Sequence, residues 1–333
     1  YLTENDFINI TTACTLPRYM NLALFRAIDT CQNDKISFIQ FQKGWKKLTQ
    51  GCHDFETFFY NILKKPEFSY ITPDDFLPIL EDVVLNHPAL QFLEDNMTFQ
   101  ERYIETVICR IFYDANCPTG KMTLNQFKKS GFSCIIKALD PMVDLYTVYN
   151  VFSYKQFYVI YCKLWSLDTD HDLLISEDDL FNYNMGTLTH LVIKRITQVG
   201  HISAFSDTAI AKDIETRLSY FDFIWFLLSE IDKATPMAID YWFKCLDLDG
   251  DGIISSYELH SFWDDQDIKQ RFYGVVQPEG IIRFEDIIRQ INDLIQPRIP
   301  GQFLLSDLRK SRFLAERFFD TFINFDRFQI HEA

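Results

Sequence analysis

Asp247, Asp249, Asp251 and Glu258 stand at positions 1, 3, 5 and 12 of a twelve-residue window, with Gly252 at position 6. That spacing suits one task. A calcium ion is a hard cation that takes roughly six to eight oxygens at about 2.3–2.6 Å. Three short aspartates wrap one side, and the carbonyl of Ile253 at position 7 adds an oxygen. Ser255, at position 9, works through water. Glu258 is long enough to reach back with both oxygens, and Gly252 admits the left-handed turn that closes the loop.

A second window, residues 168–179, repeats the spacing. Asp168, Asp170 and Asp172 fill positions 1, 3 and 5, Leu174 offers the position-7 carbonyl, and Ser176 sits at position 9. Two positions depart. Leu173 stands where glycine is preferred, at a cost of roughly 1–2 kcal/mol in left-handed backbone. Asp179 replaces glutamate at position 12 and is one methylene shorter. Both windows follow the EF-hand pattern. Two Ca2+ sites are therefore expected, the 247–258 site tighter by about tenfold or more.

Such loops need a helix on either side. Ile239, Trp242, Phe243 and Leu246 recur at helical spacing before the first window, and Leu259, Phe262 and Trp263 continue after it. The end of the loop also recurs along the chain: apolar, Ser/Thr, two residues, Asp/Glu/Gln, apolar. It is found at 2–7, 36–41, 71–76, 122–127, 175–180, 218–223 and 254–259, with weaker echoes at 282–287 and 303–308. The first apolar residue, at loop position 8, should pair with a partner loop. The Ser/Thr and the acid should form a capping box that opens the next helix. In 29–40 Cys31 and Gln40 displace ligands, and in 211–222 Ala211 holds position 1. The expected fold is all-α: tandem EF-hand-like helix–loop–helix units, two of them with calcium loops. A composition break near 138–154 suggests an N-terminal domain of degenerate units (1–150) and a C-terminal domain with both loops (151–333).

The composition narrows the function. The 333 residues include 32 phenylalanines and only 11 glycines and 11 prolines, which favours packed helices over short strands. The net charge of −15 argues against nucleic acid and anionic membranes as partners. No apolar run is long enough to insert in a membrane. The eight cysteines form no C-x-x-C and match no zinc spacing, so a reducing compartment fits. The chain starts at Tyr1 and reads as a fragment of something longer. No phosphate loop, G-x-S-x-G or H-E-x-x-H occurs, and the seven histidines are dispersed, so no enzyme is expected.

Several stretches carry a more specific resemblance: residues 154–176, 217–266, 74–93, 103–113 and 318–328, with "HPALQFL" and "YFDFIWFLLSEIDK" the most distinctive. In that order they resemble the B'' regulatory subunits of protein phosphatase 2A. The resemblance implies a non-catalytic subunit that docks on the scaffold subunit, contacts the catalytic subunit and helps select phosphoprotein substrates. It also implies that calcium tunes assembly, and an aspartate at position 12 of the weaker loop is usual in the family. Residence would be cytoplasmic, with nuclear or cytoskeletal and centrosomal association as alternatives. The segments after Gln266 and over 198–215 match poorly, so no role transfers to them. The alternative reading is a free-standing EF-hand calcium sensor acting on other helical targets. In that reading Trp225 and Phe226 would be an exposed anchor, whereas helical spacing places them in the core.

Overall fold

The computed structural model describes residues 1–31, 33–205, 217–272 and 282–332. Ala211, most of the 198–215 segment and much of the stretch after Gln266 lie outside the described residues. Helices dominate, and the local signals that open them are the recurring tails. Ser37 Oγ accepts from Gln40 N while the Gln40 side chain accepts from Ser37 N. Thr123 with Gln126, Ser176 with Asp179 and Ser219 with Asp222 repeat this box. Each box satisfies amides that a helix start leaves orphaned.

The tails then join two by two. Leu2 bridges antiparallel to Ile36, Ile71 to Met122, and Ile175 to Leu218. Ile253–Ser255 (β1) pairs with Gln302–Leu304 (β2), placing Ile254 opposite Phe303. Eight of the nine tails are thereby paired. The echo at 303–308 is the partner of the best metal loop, although only half its box survives: Leu304 N donates to Asp307 Oδ2 at 3.0 Å, and Leu304 has no hydroxyl to reciprocate. The echo at 282–287 makes no bridge among the described residues, and Arg283 caps its helix without a side-chain bond.

Packing divides the chain into two units, Tyr1–Val159 with Ser203–Phe205, and Ile160–Ile202 with residues 217–272 and 282–332. The division falls inside a helix, Tyr154–Leu167. The first unit runs through Phe7–Ala13 (α1), Asn21–Ile28 (α2), Phe38–Thr49 (α3), Phe55–Leu63 (α4), Leu77–Asn86 (α5), Met97–Asp114 (α6), Leu124–Ser130 (α7) and Phe132–Ala138 (α8) into Tyr154–Leu167 (α9). It holds the 2/36 and 71/122 pairs. The apolar residue after the tail becomes core: Phe7, Phe76 and Phe127 are fully buried, and Phe59 meets Phe127 edge-on at 5.4 Å. Each such ring contributes about 1.5–3 kcal/mol by burial.

The second unit continues through Glu177–Phe181 (α10), His190–Val199 (α11), Tyr220–Ile231 (α12), Pro236–Leu246 (α13), Ser256–Phe272 (α14), Phe284–Ile295 (α15), Leu305–Lys310 (α16), Arg312–Ile323 (α17) and Phe325–Glu332 (α18). It holds the 175/218 and 254/303 pairs. Trp225 and Phe226 are fully buried, with Trp242 packed edge-on against Phe226 and donating its indole N–H to Ser229 O at 2.8 Å. No helix among the described residues is long and apolar enough to cross a membrane.

Candidate metal centres

Loop 247–258 joins α13 to α14. The last carbonyls of a helix lack intrahelical partners, and here Arg195 of α11 takes them. Its Nε donates to Cys245 O at 3.0 Å and its Nη2 to Lys244 O at 3.1 Å and Asp247 O at 2.7 Å. The first ligand position is thus held by a residue more than fifty places upstream. Asp247 itself is buried, and its two carboxylate oxygens accept from the amides of Gly250 (2.8 Å) and Gly252 (3.0 Å). Gly250 and Gly252 have φ of 75° and 85°, the left-handed turns the loop needs.

Glu258 reaches across. Its Oε1 accepts from Leu248 N at 2.7 Å, ten residues back, while Oε2 accepts from the amide and hydroxyl of Ser255 at 2.7 and 2.8 Å. Carboxylate oxygens of Asp247, Asp249 and Glu258 all lie within 4.8 Å of one another. Asp251 stands outside that group, exposed, with Oδ1 accepting from Ile253 N at 2.7 Å. Ile253 lies in β1, so its main chain is fixed by the pairing with β2. No Lys, Arg or His forms an ion pair with any of these four carboxylates among the described residues. Clustered hard oxygens with their charge unneutralised by the protein fit a divalent cation such as calcium.

Loop 168–179 repeats the frame. Asp168, Asp170 and Asp172 bring carboxylate oxygens within 4.8 Å of one another. Asp168 is fully buried and accepts from the amides of Asp172 (3.2 Å) and Leu173 (2.8 Å). That burial pushes its carboxyl up. Leu174 donates its amide to Asp172 Oδ1 at 2.8 Å. His171 and Leu173 take φ of 58° and 65°, the conformations glycine holds in the other loop. The predicted departure is therefore present as left-handed non-glycine backbone.

Three features distinguish this loop. Asp179 stands outside the cluster, and among the described residues its Oδ2 accepts from the Ser176 amide (2.9 Å) and hydroxyl (2.6 Å), without the cross-loop bond that Glu258 makes. His171, at loop position 4, lies flat on Trp165 of α9, with ring centroids 3.8 Å apart and 9° between planes. Arg217 Nη1 donates to Asp172 Oδ2 at 2.8 Å. Neither Arg195 nor Arg217 was legible as part of a site, since their partners lie far away in sequence.

The degenerate loop 29–40 keeps the same skeleton. Asp29 accepts from Asn33 N at 3.3 Å and Asp34 N at 2.9 Å, and Asp34 has φ of 55°. It holds the shape without the carboxylates at positions 3, 5 and 12.

An EF-hand domain model matches residues 54–142. The chain is 39% identical over 331 residues to the human beta form of the B'' regulatory subunits of serine/threonine-protein phosphatase 2A, covering 99% of this chain and 56% of that protein. It is 41% identical over 324 residues to the human alpha form, covering 97% of this chain and 27% of that protein. A probable B''epsilon form from Arabidopsis thaliana is 37% identical over 336 residues, covering the whole of this chain and 61% of that protein. The chain thus spans little more than half of the first of these relatives, and about a quarter of the second. A solved chain of a PP2A PR70 holoenzyme, described as diCa, superposes with a TM-score of 0.73 at 40% identity, covering 84% of this chain and 99% of that one.

Proposed function

This chain belongs to the B'' family of protein phosphatase 2A regulatory subunits, and on that premise we propose that it is a non-catalytic subunit whose assembly is tuned by calcium. It docks on the scaffold subunit, contacts the catalytic subunit and directs it to phosphoprotein substrates. Calcium sits in 247–258 and in 168–179. The first site takes its oxygens from Asp247, Asp249, Asp251, the Ile253 carbonyl, Ser255 through water and Glu258. The second uses Asp168, Asp170, Asp172, the Leu174 carbonyl, Ser176 and Asp179, and binds more weakly.

The observation that carries this reading is the 247–258 loop, in which three carboxylates converge with no cationic side chain paired to them among the described residues. An ion there would fix the angle between α13 and α14, and through β1 and β2 the position of α16. The bonds from Arg309 to Asp240 already tie α16 to α13. A stiffened cluster presents a rigid face to the scaffold subunit. The sensor alternative loses its anchor, because Trp225 and Phe226 are fully buried.

The test is co-purification with scaffold and catalytic subunits, with and without chelator. We expect both subunits to be recovered, and less scaffold after chelation. Unchanged scaffold affinity would make calcium irrelevant to assembly, and phosphopeptide turnover by the chain alone would overturn the non-catalytic role. Residence is proposed as cytoplasmic, with nuclear or centrosomal association as the alternatives that imaging of the tagged protein distinguishes.

A further inference from the structure

The two acidic loops treat their position-5 aspartates alike on one side only. Asp172 Oδ1 accepts from Leu174 N at 2.8 Å, and Asp251 Oδ1 accepts from Ile253 N at 2.7 Å. In each case Oδ2 is the oxygen that this bond leaves open. For Asp251 that oxygen has no protein partner among the described residues. For Asp172 it is taken by Arg217 at 2.8 Å.

Arg217 is rooted at the right place to do this. Its neighbour Leu218 exchanges both main-chain bonds with Ile175, at 2.9 and 2.8 Å. Ile175 is position 8 of the acidic loop. The bridge that steadies the loop therefore also delivers the arginine to it, from position 7 of the partner unit. A guanidinium stays charged at any working pH, so the pair does not lapse by deprotonation.

The chain does the same thing more completely elsewhere. In loop 64–75 of the first unit, Lys64 stands at position 1. Its Nζ donates to the carbonyls of Phe68 (2.8 Å) and Lys65 (3.1 Å). Lys65 Nζ lies 3.6 Å from Asp75 Oδ1 at position 12. There a side-chain ammonium satisfies the loop and no ion is needed. Loop 247–258 lies at the other extreme, with no tethered cation among the described residues. Loop 168–179 falls between.

We propose that Arg217 is a tethered competitor for the cation of loop 168–179, holding the ligand oxygen of Asp172 until an ion displaces it. This rests on the reading that the loop binds calcium. The competition lowers the affinity of the loop and sharpens its choice of ion. A monovalent ion brings no more charge than the guanidinium it would evict, whereas a divalent ion brings twice as much. Arg217 is thus a specificity-determining residue, and the weaker affinity of this loop has a second source besides Leu173 and Asp179.

The pair is part-exposed, so the effect is modest: removing Arg217 should tighten binding by about threefold or more. The test uses the full chain carrying Asp247→Ala and Glu258→Gln, which leaves 168–179 as the acting loop. Calcium is titrated calorimetrically. Terbium is titrated in parallel, with luminescence sensitised by Trp165, which stacks on His171 inside this loop. Arg217→Lys, Arg217→Ala and Arg217→Glu should bind progressively tighter than arginine, with near-ultraviolet circular dichroism unchanged. Measurable affinities that are equal across the series, or weaker for alanine, overturn the competitor role while leaving the loop a metal site. Silence of every variant in both titrations overturns the calcium reading of this loop and the competitor role with it.

Discussion

Lys233 Nζ lies 2.9 Å from Asp320 Oδ1 and 2.9 Å from Glu230 Oε2, with all three side chains almost wholly out of water. Burial alone would lower the lysine, but the two carboxylates outweigh it and hold its ammonium above the ordinary value. Asn324 donates to Glu230 Oε1 and His331 faces Asp320 Oδ2, so the cluster binds α12, α17 and α18 together. Breaking a buried pair from one side strands a charge, at about 3–5 kcal/mol. Lys233→Met should cost that much in urea unfolding. Adding Glu230→Gln and Asp320→Asn should recover most of it. A loss below about 1 kcal/mol for the single variant would mean that the charges are not strongly coupled.

The length of the position-12 side chain should set affinity. Glu258 bonds Leu248 N across its loop, and Asp179 has no such bond. Glu258→Gln should weaken calcium binding at 247–258 by about tenfold or more, and Asp179→Glu should tighten 168–179 by a similar factor. Calorimetric titration of each variant reads the change. No gain from Asp179→Glu would show that reach is not what limits that loop.

Two glycines should respond differently to the same substitution. At Gly252 φ is 85° and a Cβ would meet nothing within 4 Å, so alanine costs only the backbone conformation, about 1–2 kcal/mol. At Gly301 φ is 77° and a Cβ would collide with the Ser256 hydroxyl, which donates to Gly301 O at 3.1 Å. Gly301→Ala should therefore be the more destabilising of the two in chelator, where metal binding does not contribute. Equal losses would show that β2 shifts freely to make room.

Asp82 supplies a pH dependence. It is buried on α5, and burial pushes its carboxyl up to about 6 from an ordinary 3.8. A raised acid is favoured in its protonated form by the fold. Its stabilising contribution is therefore complete below about pH 4 and is lost as the pH rises through about 6, a change of up to about 3 kcal/mol. Asp82→Asn keeps an acceptor for Asn86, which donates to Asp82 Oδ1 at 2.7 Å. Relative to the parent chain, it should gain stability between about pH 4 and pH 7 when unfolding is measured in chelator. A difference independent of pH would show that Asp82 titrates normally.

What was legible in the sequence was local. A capping box spans three residues and a metal loop twelve, so both can be read without knowing what lies opposite. The tails at 2–7 through 254–259 each close as their residue types require, and Trp225 and Phe226 go inside as their spacing implies. The partnership between tails was not legible, because a position-8 residue does not name its mate. The echo at 282–287 fits the pattern yet makes no bridge among the described residues, while the equally weak 303–308 completes the pair with 254–259. Arg195 and Arg217 escaped for the same reason, with bonds to residues 52 and 45 positions away. Arg217 directly precedes the tail at 218–223, but nothing near either arginine names the distant loop it bonds.

Pairing also decides what drift can erase. Ile254 opposite Phe303 gives each segment backbone bonds that neither could satisfy alone. Residues 296–307 have shed most of the carboxylates of an ion-binding loop. Excising them would still leave bare amides and carbonyls along the one stretch that retains a full set. A spent copy is thus kept as a splint for its twin, and mutation can strip away chemistry one loop at a time but architecture only by the couple.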